Sequence, residues 1–299
     1  MGFWGLPSPS HLHQLRLEGF LALVAFQLAG EFLKLRYLAA RFATPSLDHK
    51  PLLKLGADAL GNYAAFTDES SISGHRYMLV GGVACRAAHA EAVHARILEI
   101  RRASKYPTDS LQWKHYKDDK FPDYKKMINF FLEENANQKL DFMCLIIDTK
   151  KLNHARFNDG DGETFFQKAM YQIFVGLVRK YGYPPILRAF HGRRESRYDL
   201  MDVKAIINAG LARERRNALY RPVRQFDYFD VAHSGPHQLA DTLLGAVSYY
   251  WNPGLKRGGD SRKRKLAEYI SAECCVDSLG RASPLTKPHF DIWEMRLRR

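Results

Sequence analysis

The stretch that most constrains this chain is Tyr-Ala-Ala-Phe-Thr-Asp-Glu-Ser at residues 63–70, followed by Gly-His-Arg-Tyr-Met-Leu-Val-Gly-Gly-Val-Ala-Cys at 74–85. Residues 63–66 form an apolar run that ends abruptly in Asp68 and Glu69, and 77–85 form a second run of strand formers. The pair reads as a β-hairpin that turns at 70–74. A carboxylate at the end of a buried strand is costly unless it is paired, hydrogen-bonded or bound to a cation, which makes Asp68 the first candidate site residue. Side chains alternate along a strand, so Asp68 and Glu69 are expected to face opposite ways unless the strand has begun to turn. The plainer alternative is that both carboxylates cap the hairpin in water.

Periodicity organises the rest. Residues 87–103 and 123–135 read as helices, the second with Met127, Phe130 and Phe131 inward, and a loop between them carries Leu-Gln-Trp-Lys-His-Tyr-Lys at 111–117. Residues 140–147 are a continuous apolar run ending in Asp148, a second strand closed by a carboxylate. The Asp/Gly cluster at 158–163 lacks the final bidentate Glu of a calcium loop at the required distance and reads as a turn, with Glu163 suited to complementing the dipole of the helix at 165–181. A fourth strand at 186–190 ends in His191-Gly-Arg-Arg, basic where the earlier strands end acidic, and residues 198–216 read as a helix. A fifth strand spans 223–231. The helix at 236–251 is apolar nearly all round, yet it carries Gln238 and Asp241 three apart on one face. Residues 256–265 read as a basic linker and 266–275 as a short helix, with Phe-Asp-Ile-Trp-Glu at 290–294 near the end.

Charge narrows the partner. The 299 residues hold 45 Lys and Arg against 32 Asp and Glu, a formal net charge of +13, which favours a polyanion, nucleic acid before membrane, through counterion release and steering. Trp113 among Lys114, His115, Lys117 and Lys120 is the composition that stacks bases and neutralises phosphates; a packed Trp inside a solvated basic loop is the plainer reading. The apolar run at 20–29 has about half the length that a bilayer span needs, so no transmembrane helix is expected. A signal peptide fits less well than a helical N-terminal extension over 1–62, because the run starts late and Glu18 stands just before it. Cys85, Cys144, Cys274 and Cys275 show no Cys-x-x-Cys spacing, which argues against zinc and a disulfide framework and for the reducing cytoplasm.

Taken together these motifs resemble the domain-of-unknown-function family 3800. The strand at 63–70 is similar to the family's Tyr-Ile-Asp-Glu-Ser-Gly strand, 111–114 to its Glu-Leu-Lys-Trp segment, 238–246 to its Gln-Leu-Ala-Asp helix, and 290–293 to its Asn-Ile-Trp. The resemblance implies an α/β, ribonuclease H-like domain over 63–299. Its mixed five-stranded sheet would be flanked by helices, with a helical insertion at 87–135. It also implies that the first strand and the last helix each bring an acidic residue, Asp68 and Asp241, to a shared metal site. Two positions depart from the family pattern. Ser110, next to Asp109, stands for its loop Glu, and His191 or Gly192 stands for the Asp that ends its fourth strand.

The expected function is a divalent-metal-dependent nuclease, with Asp68, Glu69 and Asp241 catalytic and Asp68 and Asp241 holding Mg2+ or Mn2+. Oxygen ligands suit these hard cations better than zinc. Asp148, Glu163 or His191 would complete the metal shell. Trp113, Lys114, Arg194 and Gln238 would position a nucleic-acid strand. The alternative is a catalytically degenerate module of the same fold that keeps its basic surface and binds nucleic acid or a protein partner.

Overall fold

The two apolar runs do form a hairpin: β1 (Asn62–Ser70) and β2 (Tyr77–Arg86) pair antiparallel, with Asp68 opposite Gly81. The structure, a computed structural model, describes residues 61–71, 74–152, 162–184, 186–194, 199–252, 261–274, 278–283 and 289–295, all within the compact unit Leu52–Arg299. The expected N-terminal extension, apart from Gly61 and Asn62 at its end, and the turn at 158–161 lie outside the described residues. So does Cys275; Cys85, Cys144 and Cys274 are buried free thiols.

Four more strands complete a mixed sheet: β3 (Leu140–Asp148), β4 (Ile186–Gly192), β5 (Val223–Phe229) and β6 (Phe290–Glu294), in the order β5-β4-β1-β2-β3-β6. β1, β2 and β3 form an antiparallel meander, whereas β4 runs parallel to β1, β5 to β4 and β6 to β3. The expected five strands are all present and a sixth joins them. β6 is only five residues long and only Phe290 and Ile292 are buried in it, so its two-residue alternation is too brief to stand out as a strand in sequence. β3 is buried at all nine positions, which is why it reads as an unbroken apolar run.

Among the described residues six α-helices flank the sheet: α1 (Ala90–Arg102), α2 (Phe121–Ala136), α3 (Gly162–Lys180), α4 (Leu200–Glu214), α5 (Gly235–Trp251) and α6 (Ser261–Glu273). Alternation along β1 divides them. Ala64 and Phe66 pack with residues of α1, α2, α5 and α6, while Ala65 packs with α3 and α4. The helical insertion between β2 and β3 is as expected, except that Phe130 is only half-buried beside the fully buried Met127 and Phe131. α6 begins at Ser261, inside the expected basic linker, because Lys and Arg are good helix formers and Leu266, Ala267 and Ile270 supply a buried face. Among the described residues no helix is long and apolar enough to cross a membrane.

α5 is pinned at both ends. At its start the His237 Nε2–H donates to the Phe190 carbonyl of β4 (3.2 Å), so its Nδ1 accepts from the Ser234 hydroxyl (2.7 Å). Burial holds the His237 pKa down to about 3, so the ring is a neutral structural clamp. At its end Asn252 takes both backbone groups of Tyr77, accepting from N–H and donating to C=O, each at 2.9 Å. In mid-helix Gly245 leaves room for Trp113: a Cβ there would lie 2.2 Å from the indole Cγ. Gly245→Ala gains helix propensity but forces the indole and its loop outward, with an expected net loss of about 1–3 kcal/mol measured by urea unfolding. An unchanged midpoint would mean that the loop yields freely.

Candidate functional site

The C-terminal end of β1 packs beside α5, which brings the Asp68 carboxylate within electrostatic reach of Asp241. Asp68 shares the α5 face with Ala64 and Phe66. Its partner on β2 is Gly81. On β4, Thr67 is in register with His191, and the next residue, Gly192, has its missing Cβ aimed at Asp68, 2.4 Å from Oδ1. Glycine therefore flanks Asp68 on both strands, and the carboxylate occupies space that a β4 side chain would otherwise fill.

On α5, Asp241 Oδ2 accepts the Trp113 backbone N–H at 2.6 Å. The two residues around it hold the same loop. Gln238 Oε1 accepts from Leu111 N–H (2.7 Å) while its Nε2 donates to the Ala232 carbonyl (3.0 Å), and the Thr242 hydroxyl donates to Leu111 O (2.9 Å). Tyr124 donates to Gln112 O from the other side (2.6 Å). Gln238, Asp241 and Thr242 share one face of a helix, so the loop at 111–113 is strapped along it. Lys114 stands exposed immediately after the strap.

Two carboxylates close together away from water raise one another's pKa. Burial pushes Asp68 up to about 8, with the charges of Asp241 and Glu69 adding to the effect; the Glu69 N–H bond and Lys114 oppose it. Asp241 is raised too, first by burial, against the Trp113 N–H, Lys114 and Lys263. Among the described residues neither carboxylate has an ion-pair partner. A carboxyl whose folded pKa lies above its unfolded 3.8 keeps a proton that the unfolded chain has lost, so its stabilising effect is complete below pH 4 and disappears as pH rises toward 8. Metal-free protein should therefore lose stability over that window, by about 1.4 kcal/mol per pH unit at the steepest. Asp68→Asn should flatten the profile in chelator, and equal slopes in wild type and variant would show that Asp68 is not the cause.

The opposite face of β1 holds a different group. His191 is fully buried; its Nε2–H donates to Glu69 Oε2 (2.6 Å) and its Nδ1 meets the Thr67 hydroxyl (2.9 Å). Arg194 reaches Glu69 Oε1 at 3.5 Å and lies over the Phe166 ring, its Cζ 3.9 Å from the centroid. Thr67 and Glu69 point away from Asp68, as alternation requires. His191 does likewise because Phe190, which stacks on Phe66 at 5.2 Å, takes the α5 side. The structure thus brings Asp68 and Asp241 together with Lys114 beside them, and places Glu69, His191 and Arg194 behind the sheet. The expectations that Glu69 is catalytic beside Asp68, that His191 completes its metal shell and that Arg194 positions the strand there are corrected on this ground.

Asp148 does not join Asp68 either. It is bound by Arg76 (2.8 and 3.3 Å) and by Lys150 N–H (3.2 Å), and the Arg76 guanidinium holds its pKa below the usual carboxylate range. Glu163 lies in the first turn of α3, and its side chain is outside the described residues. Trp113 lies against Gly245 with the Lys263 Nζ 5.6 Å from its ring centroid, and both ends of the Gln238 amide are engaged by backbone. Among the described residues no group of three or more His, Cys, Asp or Glu side chains is placed to hold a metal ion. Gly192 and Lys263 are the parts of the site that sequence reading underweighted. Parity along β4 pointed to Gly192; nothing beyond a run of basic residues pointed to Lys263.

No family model and no curated protein sequence matches the chain.

Proposed function

We propose that the protein is a divalent-metal-dependent nuclease whose metal is held by Asp68 and Asp241. One observation carries this reading: two carboxylates, both with raised pKa, meet at a glycine-flanked strand end with no ion pair to a basic side chain among the described residues, only the nearby charges of Lys114 and, for Asp241, Lys263. Such a pair is stable only with a proton or a cation. Two donors fit a hydrated Mg2+ or Mn2+, which commonly keeps several waters and takes one or two carboxylates plus substrate phosphate. The strand order agrees with the ribonuclease H-like topology implied by the resemblance to domain-of-unknown-function family 3800, in which the first strand and last helix supply these acids.

Asp68 and Asp241 would anchor the ion, and the Trp113 N–H would hold the Asp241 carboxylate in one orientation. Lys114, exposed beside the two carboxylates, would attract the phosphodiester to them. Bound there, the ion would lower the pKa of an attacking water and neutralise charge on the transferring phosphoryl group. Glu69, His191 and Arg194 would support β1 from behind without touching substrate.

Isothermal titration of Mn2+ into the protein, followed by incubation with a labelled oligonucleotide, tests the reading. Binding and cleavage in wild type, both lost in Asp68→Asn, are expected. A second reading has its own observation. Gly192 stands where the family pattern has an acid, and no three-ligand cluster is formed among the described residues, which favours a binding module that no longer cleaves. That module would bind oligonucleotide without heat from Mn2+.

A further inference from the structure

Several lysines among the described residues are held in one of two ways, and Lys120, which also lies over the Tyr106 ring, in both. Lys120, Lys151 and Lys180 sit on carboxylates, at 2.6 Å from Asp109, 3.2 Å from Glu294 and 2.7 Å from Asp291. Along the junction of α2 and α6 they sit on rings instead. Lys263 lies 5.6 Å from the Trp113 ring centroid, Lys265 4.3 Å from that of Phe121, and Lys125 5.3 Å from that of Tyr269. Phe121 and Tyr269 themselves meet edge to face at 5.6 Å, which joins the second and third pairs. Among the described residues none of these three ammonium groups, nor Lys114 or Lys117 in the adjoining loop, forms an ion pair with a carboxylate, though the charges of Lys114 and Lys263 act on Asp241 and that of Lys114 on Asp68.

The nearby acids are occupied elsewhere. Asp109 pairs with Lys120, Asp119 accepts from the Tyr106 hydroxyl (2.5 Å) and Asp118 from that of Tyr116 (3.3 Å). Helix α6 also carries Lys263, Arg264 and Lys265 at its N-terminal end, where the helix dipole disfavours cations. Positive charge is thus gathered beginning beside Trp113, whose N–H holds Asp241, and the acids whose charges Lys114 and Lys263 meet there are those of the Asp68 and Asp241 site itself.

We propose that this set of lysines on aromatic rings, Lys263, Lys265 and Lys125 with Lys114 at its head, is the track that holds the sugar-phosphate backbone of a nucleic-acid strand leading toward Asp68 and Asp241. The proposal rests on the nuclease reading for its direction, and on these lysines alone for binding. Because the lysines cover the rings, contact is with phosphate rather than base, and the track is indifferent to sequence.

The test is fluorescence anisotropy of a labelled 20-nucleotide single strand of mixed sequence, in EDTA, over a salt series. Each phosphate contact contributes about 0.7 to the slope of log K against log salt on a single strand. The triple variant Lys125→Ala, Lys263→Ala, Lys265→Ala should lower the slope by about 2. The corresponding triple Lys→Arg variant should restore it, and Lys139→Ala, Lys150→Ala, Arg224→Ala elsewhere on the surface should leave it closer to wild type. A triple alanine variant with wild-type melting temperature and wild-type slope overturns the proposal, as does a wild type that does not bind at low salt. Loss of Mn2+-dependent cleavage alone, with the slope change intact, counts against the nuclease reading and leaves the track standing.

Discussion

Asp241→Asn is expected to remove Mn2+-dependent cleavage by about 100-fold or more, since even the outer partners of a metal ligand commonly cost 10–100-fold. The same variant should be no less stable than wild type in chelator at pH 8. The Asn carbonyl can still accept the Trp113 N–H that Asp241 accepts at 2.6 Å, and the charge that burial opposes, and that raises the Asp68 pKa, is gone. Metal separates the two proteins further. At 100 times its dissociation constant, Mn2+ should stabilise wild type by about 2.7 kcal/mol and the variant not at all, because a ligand stabilises only the state that binds it. Calorimetry with and without Mn2+ reads this directly. Were Asp241 merely the acceptor that straps the loop, Mn2+ would leave both melting temperatures where they are.

The hairpin, the continuous β3 and the all-round apolar α5 were legible because each is long and its burial pattern is a simple one. So was the opposition of Asp68 and Glu69, which follows from a period of two. What sequence could not supply was the partner of each face. His191 reads as a chemically active residue at a strand end, yet the strand register places it beside Thr67, and its ring then has Glu69 within reach. Gln238 reads as a substrate ligand because it lies one turn from Asp241; it is instead consumed by the Leu111 N–H and the Ala232 carbonyl. Loop backbone has no sequence signature of where it will dock, so the strap between 111–113 and α5 was invisible. Trp113 is the clearest case, since a glycine four residues beyond Asp241 decides where its indole lies.

That register makes Gly192, not His191, the β4 position that faces Asp68, and the two respond oppositely to an added carboxylate. Gly192→Asp places its Cβ 2.4 Å from the present Asp68 Oδ1, so Asp68 must swing aside as a third carboxylate is brought beside it. Metal-free protein should then lose stability, increasingly as pH rises, because like charges in a partly buried site oppose ionisation. Mn2+ should recover that loss, bind more tightly than to wild type, and increase cleavage if the parent site is short of one donor. His191→Asp instead removes the imidazole that Glu69 and Thr67 contact and sets two carboxylates together on the opposite face of the sheet, with Arg194 3.5 Å from Glu69. Breaking a buried pair in this way costs about 3–5 kcal/mol. Metal has no route to recover that loss from the far side of β1. Titration of Mn2+ into both variants decides the matter, and tighter binding to His191→Asp than to Gly192→Asp would mean that the metal site lies on the Glu69 face of the strand.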